Sequence, residues 1–116
     1  MTIPGKAVSL RIFLGEQDQY HDKPLYEVIV LKAREMHLAG ATVFRSPLGF
    51  GHSSLLHTSK ILRLSEDLPI VIELIDAKEK INNFLNEIEP MTASGAGLLI
   101  TLQEIDILHY GIKEVI

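Results

Sequence analysis

Cysteine and tryptophan are both absent from this 116-residue chain, and aromatic residues make up only 6% of it. Without cysteine there can be no disulfide framework, thiolate metal cluster, iron–sulfur centre or cysteine nucleophile. So few aromatics leave little for a stacking platform on single-stranded nucleic acid. Positive charge is scarce too. Eleven Lys and Arg against fifteen Asp and Glu give a net charge of −4 and a pI near 5.7, whereas general nucleic-acid binding needs clustered cations to displace counterions from phosphate. Long apolar runs are missing: the longest covers residues 28–31, and a spanning helix needs about 20 apolar residues. The start, Met1-Thr2-Ile3-Pro4-Gly5-Lys6, has no apolar leader core or small-residue cleavage site. The expectation is a soluble, unprocessed, cytoplasmic chain with no nucleic-acid partner and no direct membrane insertion.

What is present suffices for a core. The hydrophobic fraction is 47% against 22% charged, and the length fits a single domain over 1–116. Residues 7–14 alternate, with Val8, Leu10, Ile12 and Leu14 on one face and Ser9 and Arg11 on the other, so a half-buried strand is predicted. A helix is expected from Pro24, where a missing N–H has no helical partner to lose, with Asp22 or Lys23 at its cap. Its stripe is Leu25, Val28, Ile29, Lys32, Ala33 and Met36, and Gly40 is the expected left-handed stop. Residues 41–45 read as a second strand and 70–75 as a third, with Pro69 at the mouth of the latter. Asp76 and Glu79 have capping-box spacing before a second helix, whose stripe is Ile81, Phe84, Leu85 and Ile88 and which Pro90 closes. Residues 98–102 form a fourth strand, and the alternation through Ile105, Ile107 and His109 suggests a short fifth. Residues 46–69 are long for a plain connector.

The order β-α-β-β-α-β is the split arrangement of ferredoxin-like α+β sandwiches. Both helices then cover one face of a four-stranded antiparallel sheet. Phe13, Val43, Val71 and Leu99 are expected on the other face, and an apolar bare face implies oligomerisation.

The residues carry a family resemblance over nearly the whole chain. Its marks are Leu10-Arg11-Ile12-Phe13-Leu14-Gly15-Glu16, Lys23-Pro24-Leu25-Tyr26-Glu27, Leu38-Ala39-Gly40-Ala41-Thr42-Val43, Leu48-Gly49-Phe50-Gly51, His57-Thr58 and Leu64-Ser65-Glu66-Asp67-Leu68-Pro69. Together they resemble the PII-like signalling proteins, in a prokaryotic branch known as a conserved domain of unknown function. The resemblance implies a compact homotrimer that binds adenine nucleotides in clefts between subunits. It also implies a long loop, here about 47–68, that changes shape with the ligand and engages a target protein. A membrane transport or ion-export protein is the kind of target the family context implies. Gly49-Phe50-Gly51 matches the base of that loop, and Gly95-Ala96-Gly97 takes the place of the glycine-rich phosphate loop.

The departures from PII proteins are informative. Leu98 stands where they have lysine, and Leu108-His109-Tyr110-Gly111 stands near the place of their arginines. No counterpart of their modified loop tyrosine is visible, since Tyr20, Tyr26 and Tyr110 lie elsewhere. Triphosphate binding thus loses cationic partners worth about 1.5–3 kcal/mol each, and AMP or ADP is expected over ATP. The expected nucleotide site comprises Arg45, as the main cation, with Gly49, Phe50, Gly51, His57, Gly95, Ala96, Gly97 and His109.

Plainer readings stand beside these. Both glycine clusters could be turn chemistry using positive φ, or bared amides for an anion. His52 and His57, with His109, could instead serve a divalent metal or a small anion in a trimer, although no carboxylate sits at ligand spacing. Glu66 and Asp67 are adjacent, point apart in extended chain, and read as a solvated loop end. Ser53-Ser54 with His57 lacks a nucleophile-elbow motif and an orienting acid, so the chain is read as non-enzymatic, a catalytic ferredoxin-like domain being the third possibility. Leu55, Leu56, Ile61 and Leu62 exceed what a free loop needs and suggest docking.

Overall fold

The computed structural model describes residues 5–50, 57–58, 68–93 and 97–111. Strand β1 (Gly5–Gly15) buries Val8, Leu10, Ile12 and Leu14, the predicted alternation. A two-residue hairpin follows: β2 (Gln19–Tyr20) pairs with β3 (Lys23–Pro24). Its turn residues His21 and Asp22 both have positive φ (51° and 63°), the pattern of a type I′ turn, whose twist matches that of paired strands.

Helix α1 (Leu25–Glu35) buries Leu25, Ile29 and Ala33. Pro24 is its cap rather than its first helical residue, because Pro24 is held extended in the hairpin. The expected stop at Gly40 is also corrected. His37 takes the left-handed conformation (φ 59°), while the amides of His37 and Leu38 donate to the carbonyls of Arg34 and Ala33. This is a Schellman ending with histidine in the position glycine usually fills. Gly40 instead opens strand β4 (Gly40–Arg45).

Beyond β4, β5 (Leu48–Gly49) pairs with β6 (His57–Thr58). Strand β7 (Pro69–Asp76) leads into helix α2 (Lys78–Thr92), and β8 (Leu99–Ile107) completes the sheet. The sheet order β4-β7-β1-β8, antiparallel throughout, is that of a ferredoxin-like α+β fold. The core lies between the sheet and the helices, where α2 contributes the fully buried Ile81, Phe84 and Ile88.

Four further expectations change. Asp76 does not cap α2 as a capping box; Ala77 holds that place without a side-chain cap, because Asp76 is the last residue of β7. Pro90 lies inside α2, which persists to Thr92 since the Ala93 amide still reaches the Glu89 carbonyl at 2.9 Å. The fourth strand and its suspected successor are one strand, paired with β1 along its whole length. Val43 lies opposite Ile72 and packs on the core, so that Phe44, opposite Val71, takes the open face.

That open face has a definite pattern. Phe44, Val71, Phe13 and Leu99 stand in one cross-strand row spanning all four strands, with Phe44 and Leu99 each more than half exposed. The next row holds Thr42, Glu73, Arg11 and Thr101. There Glu73 Oε2 accepts from Arg11 Nε at 2.9 Å and from Ser9 Oγ at 3.0 Å. The helices cover the β4, β7 and β1 side of the sheet, and on β8 Ile100 and Leu102 stay partly open.

Candidate functional site

The end of the sheet where β1 and β4 finish and β7 begins gathers the described part of the expected site. Gly15 closes β1 and turns the chain sharply: its amide donates to Asp18 Oδ2, and the Asp18 amide donates back to the Gly15 carbonyl. The Glu16 amide donates to the Leu68 carbonyl at 2.8 Å, and the Ser46 amide to the Pro69 carbonyl at 2.9 Å. Both stems of the long connector are thereby tied to the sheet. Ser46 Oγ donates to the Leu48 carbonyl at 2.8 Å and starts the turn into β5.

Arg45 is the last residue of β4, opposite Ile70 and thus on the helix-bearing side. Its Nη2 lies 2.7 Å from Glu16 Oε2. The expected ligand cation therefore already has an anionic partner within the chain. Sequence reading overlooked Glu16, because an ion pair across 29 residues leaves no periodic trace.

Gly49 has a packing reason to be glycine: a Cβ there would stand 3.0 Å from Pro69 Cγ. Its φ is not positive; among the described glycines only Gly5 has that conformation. Phe50 is exposed beside it. The His57 backbone pairs with Gly49, so His57 belongs to the same end. Gly97 lies just before β8, at this end but on the opposite edge of the sheet from β4, three strand spacings or roughly 14 Å across. Gly51, Gly95, Ala96 and His52 lie outside the described residues, as do the serine pair, the acidic pair and the apolar positions 55, 56, 61 and 62 of the connector.

His109 is placed elsewhere. It follows β8 at the far end of the sheet, beyond a nine-residue strand about 30 Å long, and a Cβ on Gly111 would stand 2.9 Å from its Nε2. Within one chain the fold groups Arg45, Gly49, Phe50 and His57, sets Gly97 on the other edge, and keeps His109 apart. Among the described residues no group of three or more His, Asp or Glu side chains could hold a metal ion, and no helix is long and apolar enough to cross a membrane.

The antiparallel β4-β7-β1-β8 sheet with both helices on one side is a fold shared with solved PII-like proteins. The chain superimposes on CPII, a nitrogen regulatory PII-like protein from Thiomonas intermedia K12 bound to ADP, AMP and bicarbonate, with a TM-score of 0.65 at 17% identity over 88% of each chain. It also superimposes on a putative PII-like signaling protein, TTHA0516, from Thermus thermophilus, with a TM-score of 0.63 at 10% identity over 89% of this chain and 90% of that one. Residues 7–107 match the DUF190 family, described as "Uncharacterized ACR", and the chain belongs to that family. A UPF0166 protein of Aquifex aeolicus (strain VF5) is 38% identical over 100 residues, 86% of this chain and 91% of that protein.

Proposed function

We propose that the protein is a non-enzymatic, nucleotide-responsive regulator. In this reading three copies assemble through their open sheet faces, and an adenine nucleotide binds in the clefts between them. AMP or ADP is preferred over ATP, because Leu98 and the 108–111 segment supply no Lys or Arg. Binding alters the long connector, which then engages a target protein, with a membrane transport protein as the expected class. Such coupling requires the ligand to bind one connector state more tightly than another.

The observation that carries the reading is the pairing of a PII-like fold with an apolar row, Phe44-Val71-Phe13-Leu99, that crosses the whole open face. A similar fold holds ADP and AMP in CPII. Because β4 and β8 are opposite edges, Arg45 and Gly49 of one copy can face Gly97 of a neighbour across one cleft.

The direct test is to identify what the protein retains when purified without added nucleotide. Mass spectrometry of the heat-released fraction should find AMP or ADP. A retained molecule of another class, or a transition metal in place of a nucleotide, contradicts the reading. Prolonged incubation with ATP should leave the nucleotide unchanged.

A further inference from the structure

The pairing of Glu16 with Arg45 has a consequence for which anions this end of the sheet can take. We propose that Glu16 is a specificity-determining residue: its carboxylate neutralises Arg45 and so disfavours ligands with long phosphate chains. The inference rests on the regulatory reading above and adds to it the residue that sets phosphate preference.

The geometry makes Glu16 the fixed member of the pair. Its backbone is tied to the Leu68 carbonyl and lies within the Gly15–Asp18 turn. Its side chain is 22% exposed, against 64% for Arg45. Glu16 Oε2 meets Nη2 at 2.7 Å, and a guanidinium carries five N–H donors, so Arg45 keeps donors for an incoming anion. That anion nevertheless meets a pair with no net charge, and any phosphate oxygen reaching Arg45 comes close to the Glu16 carboxylate. Repulsion between like charges grows with the charge brought in. AMP, with one phosphate, suffers least, and ATP suffers most. This differs from the lack of lysine and arginine noted in the sequence: a cation is present, and the fold itself supplies its competitor.

Calorimetry of wild type, Glu16→Gln, Arg45→Gln and the double variant tests this with AMP, ADP, ATP and inorganic tripolyphosphate. Glu16→Gln keeps the shape of the side chain, and thermal melts check that each variant is folded. The expected result is about a tenfold tighter ATP and tripolyphosphate Kd in Glu16→Gln, the scale of one removed like charge. The gain should be smaller for ADP and smallest for AMP, and it should shrink in the Arg45→Gln background, where no cation draws the phosphates up to the carboxylate. Unchanged or weaker tripolyphosphate binding in Glu16→Gln overturns the proposal, as does a gain of the same size whether or not Arg45 is present. Failure of wild type and Glu16→Gln alike to bind any of the three nucleotides ends the nucleotide reading instead, and the tripolyphosphate arm still decides the role of Glu16.

Discussion

The carboxylate of Asp76, 1% exposed, lies 3.3 Å from the Lys80 ammonium one helical turn further on. The same carboxylate accepts the Ala77 amide at 2.6 Å and the Ala39 amide at 2.9 Å. Lys80 Nζ in turn donates to the His37 carbonyl at 2.7 Å, and Tyr110 Oη donates to the Ala39 carbonyl at 2.9 Å. One buried acid thus joins the end of β7, the start of α2, the link between α1 and β4, and, through Ala39, the segment after β8.

Asp76→Ala should therefore lower stability by about 2–4 kcal/mol, since it leaves two backbone amides without their acceptor and breaks the ion pair to Lys80. Urea unfolding followed by circular dichroism measures this. A midpoint equal to wild type would show that the network carries no net stability.

His37→Gly should stabilise the protein by about 0.5–1 kcal/mol. The left-handed conformation strains a residue with a Cβ, and glycine relieves that strain at some cost in unfolded-state entropy. The thermal midpoint should rise; a fall would mean that the His37 side chain makes compensating contacts.

Strong periodicity carried most of the fold in the sequence. The stripe of Ile81, Phe84 and Ile88 and the alternation of β1 are each buried as their spacing requires, because burial on one face leaves a repeating signal. The features that escaped were settled by tertiary contacts. Val43 and Phe44 are both apolar, and only the register against β7 decides which one faces the core. The strand at 98–102 and the alternation through Ile105 and Ile107 belong to one edge strand that is widely exposed, so the polar residues between them carry no penalty. Histidine is a poor predictor of a helix end, and glycine three residues later drew attention away from it. Of the candidate site, Arg45 was legible as the cation beside the connector, whereas its pairing with Glu16 was not.

The open face gives a prediction about assembly. Wild type should scatter light as three copies of the 12.9 kDa chain, and Phe44→Asp with Leu99→Asp should yield a folded monomer. Both side chains are more than half exposed in the single chain, so the charges burden the assembled state far more than the subunit. A wild-type mass of one chain at micromolar concentration would contradict the trimer.

Gly97→Val should abolish nucleotide binding while leaving the trimer intact, since it crowds the proposed phosphate path without touching the core. Light scattering together with a nucleotide titration checks both halves, and undiminished binding would move the site away from the start of β8.

The most direct test of nucleotide recognition is calorimetric titration of the wild-type protein with AMP, ADP and ATP, followed by Zn²⁺, Cu²⁺ and Mg²⁺. AMP or ADP should bind at least as tightly as ATP. Absence of heat with all three nucleotides at millimolar concentration would contradict the account, and tight Zn²⁺ binding in the same series would point to a metal-binding trimer instead.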